Sequence, residues 1–304
     1  MILIEDITTN FHTYLLTEKR VSKNTFMAYK RDIDQFMKFL ESEKLTLDDL
    51  THNRLKDFLK YIKQEGVGAK TMSRKISSLK LFFNFLSDRY KLPNLAGSLV
   101  FPKIDKKLPS YLSEQEIQRL LEACGEDESD KGIRNKVMLY LLYASGMRVS
   151  ELIELTTDQI RFDTGFINVT GKGNKERIIP IPKNILVQLR AYLDVIYSRL
   201  VPQRLLKSKK MPLFGVVYDD KVKPLSRQSL WGIMKKLLLK AGITKNISPH
   251  SLRHSLATHL LSNGADLRSL QMLLGHENLA TLQVYTHLGK KKLRDDYDKK
   301  HPRA

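Results

Sequence analysis

Residues 248–288 read SPHSLRHSLATHLLSNGADLRSLQMLLGHENLATLQVYTHL, and five of the chain's eight histidines fall here: His250, His254, His259, His276 and His287. Ser248 suits a helix N-cap, Pro249 the first helical position and Gly264 the C-terminal stop. Between them Leu252, Leu256, Leu260 and Leu261 mark the buried face of one helix. His250 and Arg253 are three apart, so their side chains project together, roughly 4.5 Å apart along the axis. Beyond Asn263-Gly264 a second short helix is expected over 266–274. Gly275 stops it and presents His276, and Asn278 can cap a third helix that carries Tyr285.

These groups suit one kind of chemistry. Arginine holds two phosphate oxygens in a bidentate fork and keeps its charge at any working pH. Histidine moves a proton or donates a hydrogen bond near neutrality. A tyrosine oxygen can act as a covalent nucleophile. Its free pKa is about 10, so roughly one in a thousand is ionised at pH 7, and it needs nearby positive charge or a base. Together they describe a phosphodiester held in a cationic clamp and attacked by Tyr285. Plainer readings stand beside this one. Tyr285 is one of twelve tyrosines, and a helical tyrosine is usually core or interface. His250 and His254 share the spacing of a zinc pair. However, Ser251 stands where the helical zinc-protease pattern needs Glu, and Arg253 between them repels a cation, so no metal is expected.

Composition narrows the partner. The chain has 304 residues, enough for two domains. Its 52 Lys+Arg against 33 Asp+Glu give a net charge of +19, which favours a polyanion, chiefly nucleic acid. Divided after residue 105, the first part has 18 basic and 13 acidic residues (+5) and the second 34 and 20 (+14). The single cysteine, Cys124, excludes an internal disulfide framework and fits a reducing compartment. No apolar run approaches the roughly 20 residues that span a membrane. The opening MILIEDITTNF has acids where a signal peptide has bases, so a cytoplasmic location is expected.

Four helices are expected over residues 1–90. Ile4, Ile7, Phe11 and Leu15 line the first; Tyr29, Ile33, Phe36 and Leu40 the second, from about Asn24. Leu55, Phe58, Leu59 and Ile62 line the third, from Thr51 to Gly66; Ile76, Leu79, Phe83 and Leu86 the fourth, from about Lys70. Lys70, Arg74, Lys75 and Lys80 lie off the last stripe and could track phosphates, or simply face solvent. Residues 91–110, with three prolines and a run of lysines, read as a linker. Ser113 and Glu116 form a capping box. VMLYLLYASG (137–146) reads as a buried helix ended by Gly146, and Arg148 starts another helix, in which Glu151 is a structural partner for a nearby base. Segments 159–162, 165–170 and 177–182 carry the β signal. The turn GKGNKE (171–176) places Gly171 and Gly173 around Lys172, and the glycines allow close approach. Lys175 and Arg177 are given no catalytic part. A helix is expected over 184–200, a basic loop over 206–212 and a helix from Ser226. The residues alone leave Arg148 a surface charge and Lys172 a hairpin tip.

The pattern H-S-L-R-H…L-L-G-H…Y-T-H resembles the signature of the tyrosine site-specific recombinases, and most closely that of bacterial Xer recombinases. The likeness runs over nearly the whole chain. It implies a mainly α fold with a small antiparallel β-sheet. Residues 1–90 would form a helical core-binding domain that clasps DNA, 91–110 a linker, and 111–304 an α+β catalytic domain. It implies that Arg148 and Arg253 clamp the phosphate, His250 is the acid/base group towards the nucleophile Tyr285, and His276 hydrogen-bonds a non-bridging oxygen. Lys172 would protonate the leaving 5′ oxygen. The bond energy would be kept in a 3′-phosphotyrosyl link, so neither ATP, cofactor nor metal is expected. The implied partners are a double-stranded DNA recombination site, a tetramer on paired sites with a second Xer recombinase, and an FtsK-type DNA translocase. The implied role is resolving chromosome or plasmid dimers at cell division. A phage or transposon integrase, a type IB topoisomerase and a catalytically silent DNA-binding protein are the alternatives.

Overall fold

A computed structural model of the chain describes residues 4–104, 110–171, 176–205, 210–275 and Pro302. The chain divides into two compact units, Met1–Lys107 and Leu108–Ala304.

The first unit holds α1 (Ile4–Thr17), α2 (Lys23–Ser42), α3 (His52–Gln64) and α4 (Ala69–Tyr90). Side chains cap the starts of α2 and α3: Ser22 Oγ accepts from Thr25 N, and Thr51 Oγ1 from Arg54 N. Their apolar stripes meet in an aromatic core, with Phe11 edge-on to Phe82 at 5.0 Å and Phe36 edge-on to Phe58 at 5.0 Å. One expectation for α4 fails. Lys75 does not face solvent: its side chain is 9% exposed and its Nζ lies 3.1 Å from Asp32 Oδ1. Asp32, itself buried in α2, also takes Arg74 and accepts from Ser78 Oγ at 3.3 Å. Lys80 is half-buried and donates to Gly97 O at 3.1 Å. Of the four basic residues, Lys70 alone is exposed rather than half-buried or buried.

The second unit opens with α5 (Glu114–Gly125), where Ser113 and Glu116 close the expected capping box. Next come α6 (Asp130–Ser145) and the short α7 (Val149–Glu154). Strands β1 (Ile160–Arg161), β2 (Phe166–Thr170) and β3 (Glu176–Pro180) form an antiparallel sheet in that order, with Ile167 opposite Ile179 and Val169 opposite Arg177. The helix expected over 184–200 is present as an unbroken helical run over 183–200, but it is not α throughout. Between α8 (Lys183–Ala191) and α9 (Ser198–Leu200) lies a π-helical turn, Tyr192–Tyr197. The wider turn brings residues five apart together, and both phenols point inward, donating to Leu213 O (3.1 Å) and Pro212 O (2.9 Å). A second hairpin, β4 (Gly215–Tyr218) and β5 (Lys221–Pro224), turns through Asp219 and Asp220, both at positive φ. It is mostly exposed and carries no clear apolar alternation, so its sequence gives little β signal.

Helices α10 (Arg227–Lys240), α11 (Pro249–Ser262) and α12 (Leu267–Leu274) complete the described part. On α11, Leu252, Leu256 and Leu260 are buried as expected, whereas Leu261, one position round, is 41% exposed. Cys124 is packed in the core, and burial pushes its thiol up to about 12, which leaves it unreactive. No helix among the described residues is long and apolar enough to cross a membrane.

The Asp32 network gives the first prediction. Asp32→Ala leaves Lys75 buried without its counter-charge, and breaking such a pair costs about 3–5 kcal/mol. Lys75→Met keeps Arg74 and Ser78 on the carboxylate and should cost clearly less. Urea midpoints of the two variants test this; equal losses would contradict it.

Candidate active site

Three chain segments meet at the C-terminal end of α12. Each contributes a guanidinium, and each guanidinium takes one of three successive carbonyls. Arg177, from β3, donates through Nε to Leu273 O at 3.2 Å. Arg253, from α11, donates through Nη2 to Leu274 O and through Nη1 to Gly146 O at 2.6 Å. Arg148, the N-cap of α7, donates through Nη2 to Gly275 O at 3.2 Å. The free carbonyls that end a helix are its negative pole and attract cations.

Two glycines make the approach possible. Gly146 ends α6 and Gly275 ends α12, both with left-handed φ, at 57° and 64°. A Cβ on Gly146 would lie 2.8 Å from Leu256 Cδ2 and 2.9 Å from Leu274 Cδ2; one on Gly275 would lie 2.9 Å from Arg177 Cδ. At the corners that aim Arg148 and receive Arg253, a side chain would therefore push on these neighbours and strain a left-handed backbone.

Glu151 is the counter-ion. Its carboxylate accepts from Arg177 Nη1 and Nη2, both at 2.8 Å, in a bidentate pair. It also accepts from the Arg148 backbone N–H at 2.6 Å and from Arg148 Nη1 at 2.8 Å. Three guanidiniums against one carboxylate leave a local excess of positive charge among the described residues. Arg148 is partly open to solvent, its side chain 32% exposed, whereas Arg253 and Arg177 are buried.

The phage integrase family pattern matches residues 110–292, and the N-terminal SAM-like domain of phage integrases matches residues 8–90. The chain is 39% identical to the tyrosine recombinase XerD of Staphylococcus saprophyticus over 99% of its own length and all of that protein. It is 40% identical to the tyrosine recombinase XerD of Oceanobacillus iheyensis, again over 99% and 100% of the two chains. This chain is a tyrosine recombinase of the phage integrase family. Among solved structures, the XerH site-specific recombinase bound to its difH substrate shares the fold, at 24% identity and a TM-score of 0.67, covering 89% of this chain and 78% of that one.

The recombinase is thus an enzyme that cuts and rejoins DNA. Of its six sequence-predicted site residues, Arg148, His250 and Arg253 are described. Both arginines meet at the α12 terminus, and His250 sits exposed in the first turn of α11. Lys172, His276 and Tyr285 lie outside the described residues, as do the helix expected after Asn278, the tip of the GKGNKE turn and part of the 206–212 loop. His254 is exposed and edge-on to Tyr111. His259 is a core residue, its Nδ1 2.9 Å from the Tyr143 hydroxyl, and burial lowers its pKa.

Arg177 was not given a part by the sequence, and a signal for it existed. In RIIPIP the inward positions of the strand are Ile179 and Ile181, both fully buried, and the same period of two places residue 177 on that face. A charged residue at a core-facing position implies a buried partner.

The electrostatics follow from this packing. Burial alone would raise the Glu151 carboxyl, but Arg177 first and Arg148 second outweigh it and hold it at about 2, below the ordinary 4.5. Burial, with Arg148 and Arg177 nearby, brings Arg253 down to about 10, so it is still a cation at neutral pH. The Glu151 shift predicts an acid limb. A carboxyl depressed on folding contributes stability that is present above its unfolded pKa and is lost as pH falls through the folded value. Glu151→Gln should therefore be less stable than the parent at pH 7, and the gap should narrow from pH 4.5 towards about 2. Denaturant midpoints across that range test it; a gap independent of pH would rule it out.

Proposed function

We propose that this recombinase attacks a DNA phosphodiester through the Tyr285 hydroxyl, forming a 3′-phosphotyrosyl link and releasing a 5′ hydroxyl. The observation that carries the reading is the gathering of Arg148 and Arg253 at the end of α12. From there the sequence runs directly into His276 and, nine residues on, Tyr285. A phosphate meeting these two arginines is neutralised as charge builds on its oxygens, an electrostatic effect that is often the largest in catalysis. His250 takes the proton of Tyr285, His276 hydrogen-bonds a non-bridging oxygen and Lys172 protonates the leaving 5′ oxygen. One phosphoester replaces another, so rejoining is the same step reversed and draws on no ATP.

The resemblance to Xer recombinases and the identity to proteins named XerD support a site-specific role. Four protomers would pair two recombination sites, two of the four contributed by a second Xer recombinase, with an FtsK-type translocase as activator. The outcome would be resolution of chromosome or plasmid dimers at cell division, in the cytoplasm. Residues 1–90 would clasp the DNA, 91–110 link, and 111–304 catalyse, an arrangement supported by the two family matches at 8–90 and 110–292. The basic excess of the second part, +14 of +19, fits a phosphate-binding surface.

A nicked duplex, built from sequences the protein selects out of a random pool, traps the covalent adduct. Tyr285→Phe should bind this duplex normally and leave no adduct; an adduct from that variant would remove Tyr285 as nucleophile. The acid and the clamp are separated by the leaving group. A bridging 5′ sulfur needs no proton, so Lys172→Ala should be slow on normal DNA and largely restored on the 5′-thio duplex. Arg148→Ala and Arg253→Ala should remain slow on both, by about a hundredfold or more. Single-turnover rates keep synapsis and product release out of the comparison. Sulfur rescue of an arginine variant, with the lysine variant left slow, would reverse the assignments.

A further inference from the structure

Arg177 touches Glu151, Leu273 and the space beside Gly275, and it lies on none of the positions that the reaction scheme uses. We propose that Arg177 is a positioning residue for the phosphate clamp: it balances the charge of Glu151, so that Glu151 can fix Arg148 in place without neutralising it. The proposal rests on the reading of Arg148 as a clamp residue and extends it to a group that does not meet DNA.

The geometry carries the argument. Glu151 holds Arg148 twice, through the backbone N–H at 2.6 Å and the guanidinium Nη1 at 2.8 Å. Alone, that pair would be one cation against one anion. Its attraction for a phosphate would be cancelled at short range, and the carboxylate would repel the phosphate itself. Arg177 takes both carboxylate oxygens from the opposite side. With it in place, the trio carries one net positive charge, and the exposed member, Arg148, presents it. Arg177 is buried, and three of its N–H groups are engaged within the protein, so it is not placed to meet the phosphate.

The same side chain acts on Arg253 through the backbone. Its Nε holds Leu273 O, one residue before the carbonyl that receives Arg253 and two before the one that receives Arg148. The groups facing Glu151 are therefore Arg148 from the α6–α7 corner and Arg177 from β3, with Arg253 from α11 close enough to act on the same cluster. A buried arginine on β3 thus ties the sheet to the two corners that aim the clamp.

The test uses the full chain, the nicked duplex described above and five proteins: Arg177→Gln, Arg177→Lys, Glu151→Gln with Arg177→Gln, Arg148→Ala, and the parent. Adduct formation under single turnover, duplex Kd and thermal melting are measured for each. Arg177→Gln should cleave slower by about 10–100-fold, the range for groups that orient a functional ligand from behind, with a much smaller change in duplex Kd, since many other phosphate contacts remain. Arg177→Lys, which keeps the charge, should recover part of that loss. The double variant decides the matter, and it should fold even if Arg177→Gln does not, because it removes the fully buried pair whole and leaves without a carboxylate only Arg148, which is partly open to solvent. With both members neutral, Arg148 is no longer cancelled, so the double variant should cleave faster than Arg177→Gln, or, where that single variant is unfolded, faster than Arg148→Ala. A double variant as slow as Arg148→Ala, or Arg177 variants that cleave at the parent's rate per folded molecule, would overturn the proposal. Normal cleavage by Arg148→Ala would instead overturn the clamp reading on which it rests.

Discussion

Glu151 lies buried between two guanidiniums, and the placement of α7, β3 and the end of α12 follows from satisfying it. A carboxylate removed from water is costly unless it is paired and hydrogen-bonded. Here it accepts four hydrogen bonds, from Arg177 twice and from Arg148 twice. Those bonds fix the start of α7 to a strand that follows it by more than twenty residues. Loss of any one partner would leave charge stranded in a unit whose other buried groups are mostly apolar.

The carbonyls are the second half of the same arrangement. Helix termini leave acceptors without intrahelical partners, and this fold places the ends of α6 and α12 where arginines need acceptors. Gly146 O and Leu274 O take Arg253, Gly275 O takes Arg148 and Leu273 O takes Arg177. Each arginine keeps N–H groups beyond these bonds, so the clamp is built before substrate arrives. Preorganised donors need no rearrangement as the reaction proceeds. The cost is burial of charge and a concentration of like charge, which in that order lower the pKa of Arg253.

A similar device recurs in the first unit without any chemistry. Asp32 is buried, and Arg74, Lys75 and Ser78 converge on it from α4. There the carboxylate joins two helices, and the lysine it draws in is lost as a surface charge. Among the described basic residues, some meet solvent while others, Lys75 and Arg177 among them, hold carboxylates inside, and charge alone does not distinguish them.

The motif residues were legible because their chemistry and spacing are local. His250 and Arg253 lie within one turn of α11, and Ser248, Pro249, Gly146 and Gly275 mark helix ends by rules that depend on a few neighbours. The helical first unit and the three-stranded sheet followed from periods of 3.6 and 2. Contacts between distant segments were not legible. Lys75 reads as a surface lysine until α2 brings Asp32 against it. Arg177 reads as one more base on a basic hairpin until α7 brings Glu151 beneath it. The two phenols of the π turn at Tyr192–Tyr197 find their acceptors on Leu213 and Pro212, in a separate segment. The sequence by itself determined which residue types could bind and cut a phosphodiester, and which helices carry Arg148, His250 and Arg253. Tertiary structure alone decided which carboxylate and which carbonyls hold the two clamp arginines, because a buried charge is stabilised by partners that are near in space and far along the chain.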